Sequence, residues 1–246
     1  MPPFTRVTPL GTAVPATAPA VQVTRLGFVN CYLVRDEDGL TLVDAAVPGS
    51  EGAILEAAAA MEAPLRRVVL THAHPDHVGA LDALAARVGG LEVQVGAREA
   101  RLLAGDRTLD PTERPDATAK MRGGTPTVRT RPTRLLADGD RVGSLRVVAS
   151  PGHTPGHLAF LDERDGTLYA GDALHTVGRL LVSGTFYWRF PISPLVTWHR
   201  PTAVASAARL RALRPARVAA GHGRVAEAPD ADMAAAIEEA RAALGG

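Results

Sequence analysis

The chain has 246 residues, of which 46% are hydrophobic, and its 27 basic and 26 acidic residues leave a net charge of +1. This length fits one large α/β domain or two small ones, and the balanced charge gives no electrostatic case for nucleic acid or a membrane surface. Cys31 is the only cysteine, which excludes an intrachain disulfide. Because 1–20 lacks the continuous apolar core of a signal peptide, we expect an irregular N-terminal segment and, by default, a cytoplasmic location.

The first half of the chain alternates short apolar runs with turns. Loose alternation over 21–34 predicts one or two strands, and the run 40–43 predicts another strand, which ends in Asp44. Ser50 then stands where its side chain can cap an Ala-rich helix over 51–61. This succession of strand and helix opens a βαβ-like unit.

A dense group of polar side chains follows the next predicted strand. The apolar, β-branched run 67–70 predicts a buried strand, and 78–88 carries apolar residues at helical spacing. Between them lies Thr71-His72-Ala73-His74-Pro75-Asp76-His77, with three imidazoles and a carboxylate in six residues. The motif therefore occupies a strand-to-helix turn. A lone histidine is usually a surface or core residue, but four potential ligands in one turn do not fit that explanation.

The spacing within this motif predicts that its side chains converge on two neighbouring points. His72 and His74 are two residues apart, so they do not share a helix face, but both rings can converge in a tight turn. Asp76 and His77 then begin the helix and can face a second point nearby. Neutral imidazole and carboxylate are ligands that zinc, iron and manganese share, so the motif predicts a metal site.

Three later segments place a histidine or an aspartate directly after a predicted strand. Glycine and proline around His153 allow a sharp turn that can aim this ring back at the first motif. Asp172 follows a glycine at the end of a predicted hairpin, and His222 stands between two glycines that allow close approach of the backbone. The predicted elements of this half are strands at 91–95, 145–149, 158–161, 167–170 and 218–220 and a helix at 231–244.

Together these motifs resemble the HxHxDH pattern and the later ligand motifs of the metallo-β-lactamase-fold hydrolases, in the same order. The resemblance covers roughly residues 28–224. It implies an α/β fold, a four-layer αββα sandwich of two similar halves, in a single domain over 1–246. The metal ligands that the resemblance implies are His72, His74, Asp76, His77, His153, Asp172 and His222.

The resemblance also assigns these ligands to two divalent metal ions. It implies that three histidines, at 72, 74 and 153, hold the first ion, and that Asp76, His77 and His222 hold the second. Asp172 would bridge both ions. Zinc is the expected metal, with iron or manganese as alternatives. A hydroxide held between two such ions attacks a carbonyl or phosphoryl centre.

Two aspartates are therefore the expected catalytic residues. Asp172 would hold the pair of ions together, and Asp76 would also steer the proton of the nucleophile. An aspartate at the place of Asp44 lies beside the metal histidines in the resembled family. Asp44 therefore either orients a ligand ring or only caps the following loop.

The resemblance predicts one fold but leaves several classes of substrate open. Members that cleave β-lactams generally lack a carboxylate at the place of Asp172, and glyoxalase II-like thioesterases carry a long helical domain that we do not expect here. Lactone-cleaving members have a tyrosine at the place of His175. His175 either replaces the hydrogen bond that this tyrosine makes or is unrelated to it. We expect a metal-dependent hydrolase of a small ester, lactone or thioester, acting on a small molecule rather than nucleic acid.

Other functions stay open at this point. Some members of the fold bind a single iron and oxidise sulfur compounds, and others are phosphodiesterases. The complete second ligand set argues against the single-iron enzyme. It also argues, together with an open coordination position, against a non-catalytic metal-binding protein.

Two segments and one further histidine have alternative interpretations. The segment 97–133 is expected to be irregular and carries eight basic against five acidic residues. It is either a lid that attracts an acidic substrate or, as we favour, a solvated insertion. The segment 178–200 holds half of the ten aromatic residues and is either a pocket wall beside the metals or a homodimer contact. His157 either supports the metal site from outside or packs under its turn.

Overall fold

A computed structural model of the chain describes residues 4–10, 14–124, 126 and 128–245. The predicted N-terminal segment is therefore described only in part, because 1–3 and 11–13 lie outside these ranges. Within the part that is described, a short strand runs through the segment that was expected to be irregular. The strands of the first half are β1 (Arg6–Pro9), β2 (Ala20–Arg25), β3 (Val29–Asp36), β4 (Gly39–Val43), β5 (Leu65–Leu70), β6 (Glu92–Gly96) and β7 (Arg134–Leu136).

These strands form one mixed sheet in sequence order from β1 to β7. The pairs from β1 to β4 are antiparallel, and the pairs from β4 to β7 are parallel. Parallel neighbours need a crossover between them. The described helices, some of which supply these crossovers, are α1 (Glu51–Ala60), α2 (Pro75–Val78), α3 (Leu81–Arg87), α4 (Ala97–Leu103), α5 (Ser193–Val196), α6 (Arg200–Ala212) and α7 (Asp230–Gly245).

The second half of the chain builds a second sheet and a short ribbon. Its strands are β8 (Arg141–Val142), β9 (Leu145–Ala149), β10 (Leu158–Asp162), β11 (Thr167–Gly171), β12 (Leu174–His175), β13 (Leu181–Val182), β14 (Arg217–Ala220) and β15 (Ala226–Glu227). The sheet order is β15-β14-β11-β10-β9-β8, with β11 and β14 parallel, and β12 pairs with β13 in the ribbon.

Side chains of β5 alternate between two apolar layers, as the period of a strand requires. Val68 and Leu70 pack in a cluster with α1, α3 and α4. Val69 packs between the two sheets, in a cluster that includes Phe160 and Tyr169. Each fully buried side chain of this size contributes roughly 1.5–3 kcal/mol relative to an exposed one.

Strand β11 alternates in the same way on the other side of the molecule. Tyr169 packs between the sheets, whereas Leu168 and Ala170 pack against residues of α6 and α7 such as Ala207 and Ile237. The layers therefore follow the order helices, sheet, sheet, helices. The predicted α/β fold with four αββα layers is confirmed.

The structure corrects several local expectations. Ser50 makes no capping hydrogen bond, because its hydroxyl instead accepts one from Nε of Arg25 at 3.2 Å. The predicted helix over 78–88 is interrupted between α2 and α3. The segment 97–133 is not irregular throughout, because it contains α4 and a 3-10 helix, Pro111–Glu113. Helix α6, which was not predicted, follows the aromatic segment.

Strand directions bring the predicted ligands to one region. Strands β4 and β5 are parallel, and β9 runs the same way as β11 and β14 because β9 and β11 are each antiparallel to β10. The two sheets are joined there by hydrogen bonds. The hydroxyl of Tyr32 donates to the carbonyl of Ala220 at 2.6 Å, and the backbone N–H of Leu158 donates to the carbonyl of Thr71 at 2.9 Å.

No helix within the described ranges is long and apolar enough to cross a membrane.

Candidate metal centre

The seven predicted ligands meet where strands of both sheets end. His72 and His74 follow β5, Asp76 and His77 lie in α2, and His153 lies in the loop between β9 and β10. Of the remaining two, Asp172 directly follows β11, and His222 follows β14 after one glycine. Ligand atoms approach within 4.8 Å of one another in three overlapping groups, which are His72–His74–His153, His72–His77–Asp172 and Asp76–His77–His222.

The first group consists of three buried imidazole rings. Nδ1 of His74 lies 3.1 Å from Nε2 of His72 and 2.8 Å from Nε2 of His153. The outer nitrogen of His72 is fixed by Thr71, whose hydroxyl donates to the carboxylate of Asp44 at 2.8 Å. That hydroxyl therefore accepts the Nδ1–H of His72 at 3.0 Å, which leaves Nε2 of His72 without a proton in the neutral ring.

The outer nitrogen of His153 is fixed by the aromatic segment. Thr197 donates its hydroxyl proton to the carbonyl of Ser193 at 2.7 Å, so it accepts from the hydroxyl of Ser183 at 2.9 Å. Ser183 in turn accepts the Nδ1–H of His153 at 2.9 Å. The segment 178–200 thus orients a predicted ligand, a role that no local sequence signal indicated.

The outer nitrogen of His74 is fixed by the segment 97–133. Nε2 of His74 donates to the backbone carbonyl of Arg122 at 3.3 Å. Gly123 packs against this ring with φ +76°, and a Cβ there would overlap the ring. A glycine is therefore required at this close approach.

These hydrogen bonds show that the first group fits a cation. In the neutral rings, the inward nitrogens of His72, His74 and His153 all present lone pairs, since each outward nitrogen carries the proton. The lone pair of His74 lies about 3 Å from each of the other two nitrogens, and lone pairs this close repel one another unless a positive charge lies among them. Burial lowers the pKa of His72 and of His153 well below the usual value, so both rings are neutral near pH 7, as metal ligands must be.

The second group surrounds the carboxylate of Asp172. Oδ1 of Asp172 lies 3.3 Å from Nε2 of His77, and Oδ2 lies 3.1 Å from Nε2 of His222. The outer Nδ1–H of His77 donates to Asp44 at 2.8 Å. Asp76, the more exposed member, places Oδ2 3.4 Å from Nε2 of His222. Asp44 therefore orients both Thr71 and His77 and does not only cap the loop after β4.

The charges of the second group depend on one another. Burial disfavours the charged form of His222, but the carboxylate of Asp172 and the hydrogen bonds to Asp172 and Asp76 raise its pKa to about 9. Burial also acts against the charge of Asp172, yet His222 and His77 hold the pKa of Asp172 well below its usual range. The surroundings of Asp172 therefore favour a positive charge, which is what a bound cation would supply.

His157 has a definite position beside the centre. Its Nε2 accepts the backbone N–H of Asp172 at 3.1 Å, and its Nδ1 hydrogen-bonds the hydroxyl of Ser150 at 2.9 Å. Burial lowers the pKa of His157 to about 3, so the ring is neutral. Since the lone pair on Nε2 is occupied by this bond, His157 orients Asp172 and is not itself placed as a ligand.

His175 and Phe190 lie on the other side of the second group. The ring of Phe190 is centred 4.9 Å from the rings of both His175 and His222. Neither nitrogen of His175 has a hydrogen-bond partner among the described residues, and burial lowers its pKa to about 4. Phe186 and Trp188 are 66% and 68% exposed. The aromatic segment therefore contributes Phe190 to the surroundings of the centre, whereas Phe186 and Trp188 face solvent.

Two of the eight basic residues of the segment 97–133 form ion pairs with acidic residues of the same segment. Arg98 pairs with Glu113 at 2.6 Å, and Arg101 pairs with Asp106 at 2.8 Å and with Asp110 at 2.7 Å. In these ion pairs, Glu113, Asp106 and Asp110 offset the positive charges of Arg98 and Arg101. The segment is nevertheless more than a solvated insertion, since it contacts His74.

The fold and these donor groups define a metal-binding αββα sandwich, and comparison with known proteins identifies its family. A model of the metallo-beta-lactamase superfamily matches residues 24–222. The uncharacterized protein YobT of Bacillus subtilis is 42% identical over 214 residues, which are 87% of this chain and 91% of YobT. The crystal structure of TTHA1623 in a di-iron-bound form superposes with a TM-score of 0.59 at 30% identity, covering 82% of this chain and 91% of that one.

A characterised class of enzyme also matches part of the chain. Hydroxyacylglutathione hydrolase of Aeromonas hydrophila is 30% identical over 164 residues, which are 65% of this chain and 52% of the enzyme. This chain therefore matches about half the length of that relative. The chain belongs to the metallo-beta-lactamase superfamily. The predictions of this family and of a metal-dependent hydrolase are confirmed.

Proposed function

We propose that the protein hydrolyses a small ester, lactone or thioester at a centre of two divalent metal ions. The observation that carries the proposal is the position of Asp172 between the two ligand groups. Its Oδ2 lies 3.6 Å from Nε2 of His153 in the first group and 3.1 Å from Nε2 of His222 in the second. One carboxylate is thus placed to serve both groups.

The remaining residues have roles that follow from their positions. His72, His74 and His153 would hold one ion, and Asp76, His77 and His222 the other, with Asp172 shared. Two ions held in this way polarise the attacked group and lower the pKa of water toward about 7. Imidazole and carboxylate suit zinc, which we propose as the metal, and also iron, as in the di-iron form of TTHA1623.

Asp76 is the member of this set that is best placed to move a proton. Its side chain is 36% exposed, whereas Asp172 and the histidines are nearly buried. Its Oδ2 lies 3.4 Å from His222 and 3.9 Å from His77, so one carboxylate oxygen can bind an ion and leave the other for a water molecule. We propose that this oxygen orients the attacking water and accepts its proton.

Thioesters are the first substrates to test. Hydroxyacylglutathione is a thioester, and a hydrolase named for it resembles this chain over 65% of the chain's length. The ring of Phe190 adds an apolar side chain next to His222, and apolar and aromatic side chains typically line ligand pockets. The likeness supports the chemistry of the bond, and the acyl and thiol parts are left to experiment.

Purified protein is expected to contain about two transition-metal ions per chain and to need them for hydrolysis. Metal content would be measured by elemental analysis on the same sample that is assayed with acyl-glutathione thioesters, aryl esters, lactones and a phosphodiester. Chelation should abolish activity, and Zn²⁺ or Fe²⁺ should restore it.

Two results would contradict this proposal. One ion or fewer per chain after metal-supplemented preparation would rule out the shared position of Asp172. Oxygen-dependent consumption of a persulfide would identify a sulfur-oxidising enzyme instead, provided that the same protein leaves the esters and thioesters intact.

A further inference from the structure

Glu99 is a buried carboxylate that belongs to none of the predicted ligand motifs. It lies in α4, within the segment 97–133, and its side chain is fully excluded from solvent. Neighbouring carboxylates of this segment, such as Glu113, pair with arginine, whereas Glu99 faces the interior. A buried carboxylate is costly unless it is hydrogen-bonded, so its partners explain its presence.

The two oxygens of Glu99 bind two different loops. Oε2 accepts the backbone N–H of Ala73 at 2.8 Å. Oε1 accepts the hydroxyl of Thr154 at 2.7 Å and the backbone N–H of Gly156 at 3.0 Å. Three donors thus converge on one buried carboxyl group.

These partners are neighbours of the first ligand group. Ala73 stands between His72 and His74, and Thr154 directly follows His153. The ring nitrogens of His74 and His153 are only 2.8 Å apart, although the two residues come from different sheets. The separation of the two loops must therefore be held closely, and Glu99 is the side chain that bonds to both.

We propose that Glu99 is a positioning residue that clamps the two loops of the first ligand group at the separation required for metal binding. The inference rests on the proposed function only in taking His72, His74 and His153 as metal ligands. It gives the segment 97–133 a role in the metal centre that its composition did not indicate.

Glutamine is the informative replacement for this carboxylate. Glu99→Gln keeps the size of the side chain but offers only one oxygen, so an NH₂ group must face one of the three donors. We expect the affinity for Co²⁺ at the first group to fall about 10–100-fold, the usual effect of losing an outer hydrogen-bond partner of a ligand. The visible spectrum of bound Co²⁺ should change, and about one of the two ions should be lost first to a competing chelator.

Two further variants make the test specific. Thr154→Val removes one of the three donors and keeps both backbone bonds, so we expect a smaller loss of Co²⁺ affinity in the same direction. Glu113→Gln makes the same chemical change elsewhere in the segment, and it should bind Co²⁺ as the wild type does. The melting temperature of each metal-free variant separates loss of stability from loss of metal positioning.

The outcomes discriminate between the possibilities. Wild-type Co²⁺ affinity and spectrum in Glu99→Gln would overturn the clamp, as would an equal loss in Glu113→Gln. Should Glu99→Gln fail to fold, unchanged affinity in Thr154→Val would overturn it. A wild-type protein that binds no Co²⁺ would overturn both proposals, whereas one that binds Co²⁺ but hydrolyses nothing would count against the proposed function alone.

Discussion

Replacing Asp172 with alanine is expected to lower metal content and hydrolysis together while the protein stays folded. The carboxylate lies between the ring nitrogens of His77, His153 and His222 at 3.1–3.6 Å. Its loss removes a ligand from both groups at once. Loss of an outer partner of a ligand typically costs about 10–100-fold in affinity or activity, so loss of the shared ligand should lower kcat/KM by more than about 100-fold.

The experiment compares four proteins at matched concentration. Metal content, kcat/KM and far-UV circular dichroism would be measured for wild type, Asp172→Ala and Asp172→Asn. Asp232→Ala, an exposed aspartate in the first turn of α7, is the control and should behave as wild type. Full activity of Asp172→Ala with about two ions bound would remove Asp172 from the shared position.

Gly221→Ala is expected to impair the second ligand group selectively. A Cβ at this position would lie 2.5 Å from Cε1 of His77 and closer still to Oδ1 of Asp172. Gly221 does not adopt a positive φ, so the effect would come from overlap and not from backbone strain. Overpacking of this kind typically costs about 1–3 kcal/mol unless the neighbours move, and here the neighbours are predicted ligands.

The expected result is a protein that binds about one ion in place of two and loses most of its hydrolytic activity. Elemental analysis and the melting temperature with and without added metal would measure this. Gly52→Ala is a suitable control, because its Cβ meets nothing within 4 Å and alanine is favoured in the helix α1. A Gly221→Ala protein with full metal content and wild-type activity would show that His77 and Asp172 have room to shift.

The sequence predicted those parts of the centre that are carried by local pattern. A β-branched run such as 67–70 indicates a buried strand, and a histidine or aspartate placed just after such a run is delivered to the end of a sheet. All seven predicted ligands are brought together for that reason. Their roles as ligands stay predictions until metal is measured.

Apart from those of Asp44 and His157, the supporting contacts could not be predicted, because they join residues far apart in the chain. Glu99 bonds to the loop of Thr154, Ser183 bonds to His153, and the side chain of Asn30 donates to the carbonyls of Ala220 and Gly223. Glutamate, serine and asparagine are common on surfaces, and nothing in their spacing separates these three from exposed ones. The crowding that requires a glycine at position 123 likewise could not be predicted from the sequence, because it comes from the distant ring of His74.

Asp44 has a consequence for the order in which two ions would be taken up. It accepts hydrogen bonds from Thr71 and from His77, and Thr71 in turn accepts one from His72. One carboxylate therefore connects a ring of each group. A cation at His72 makes its N–H more acidic and strengthens the chain of bonds toward Asp44. Asp44 then accepts less strongly from His77, whose inward nitrogen becomes less basic. Occupancy of one group would therefore weaken metal binding at the other, which is negative cooperativity, and the two binding steps would differ in affinity.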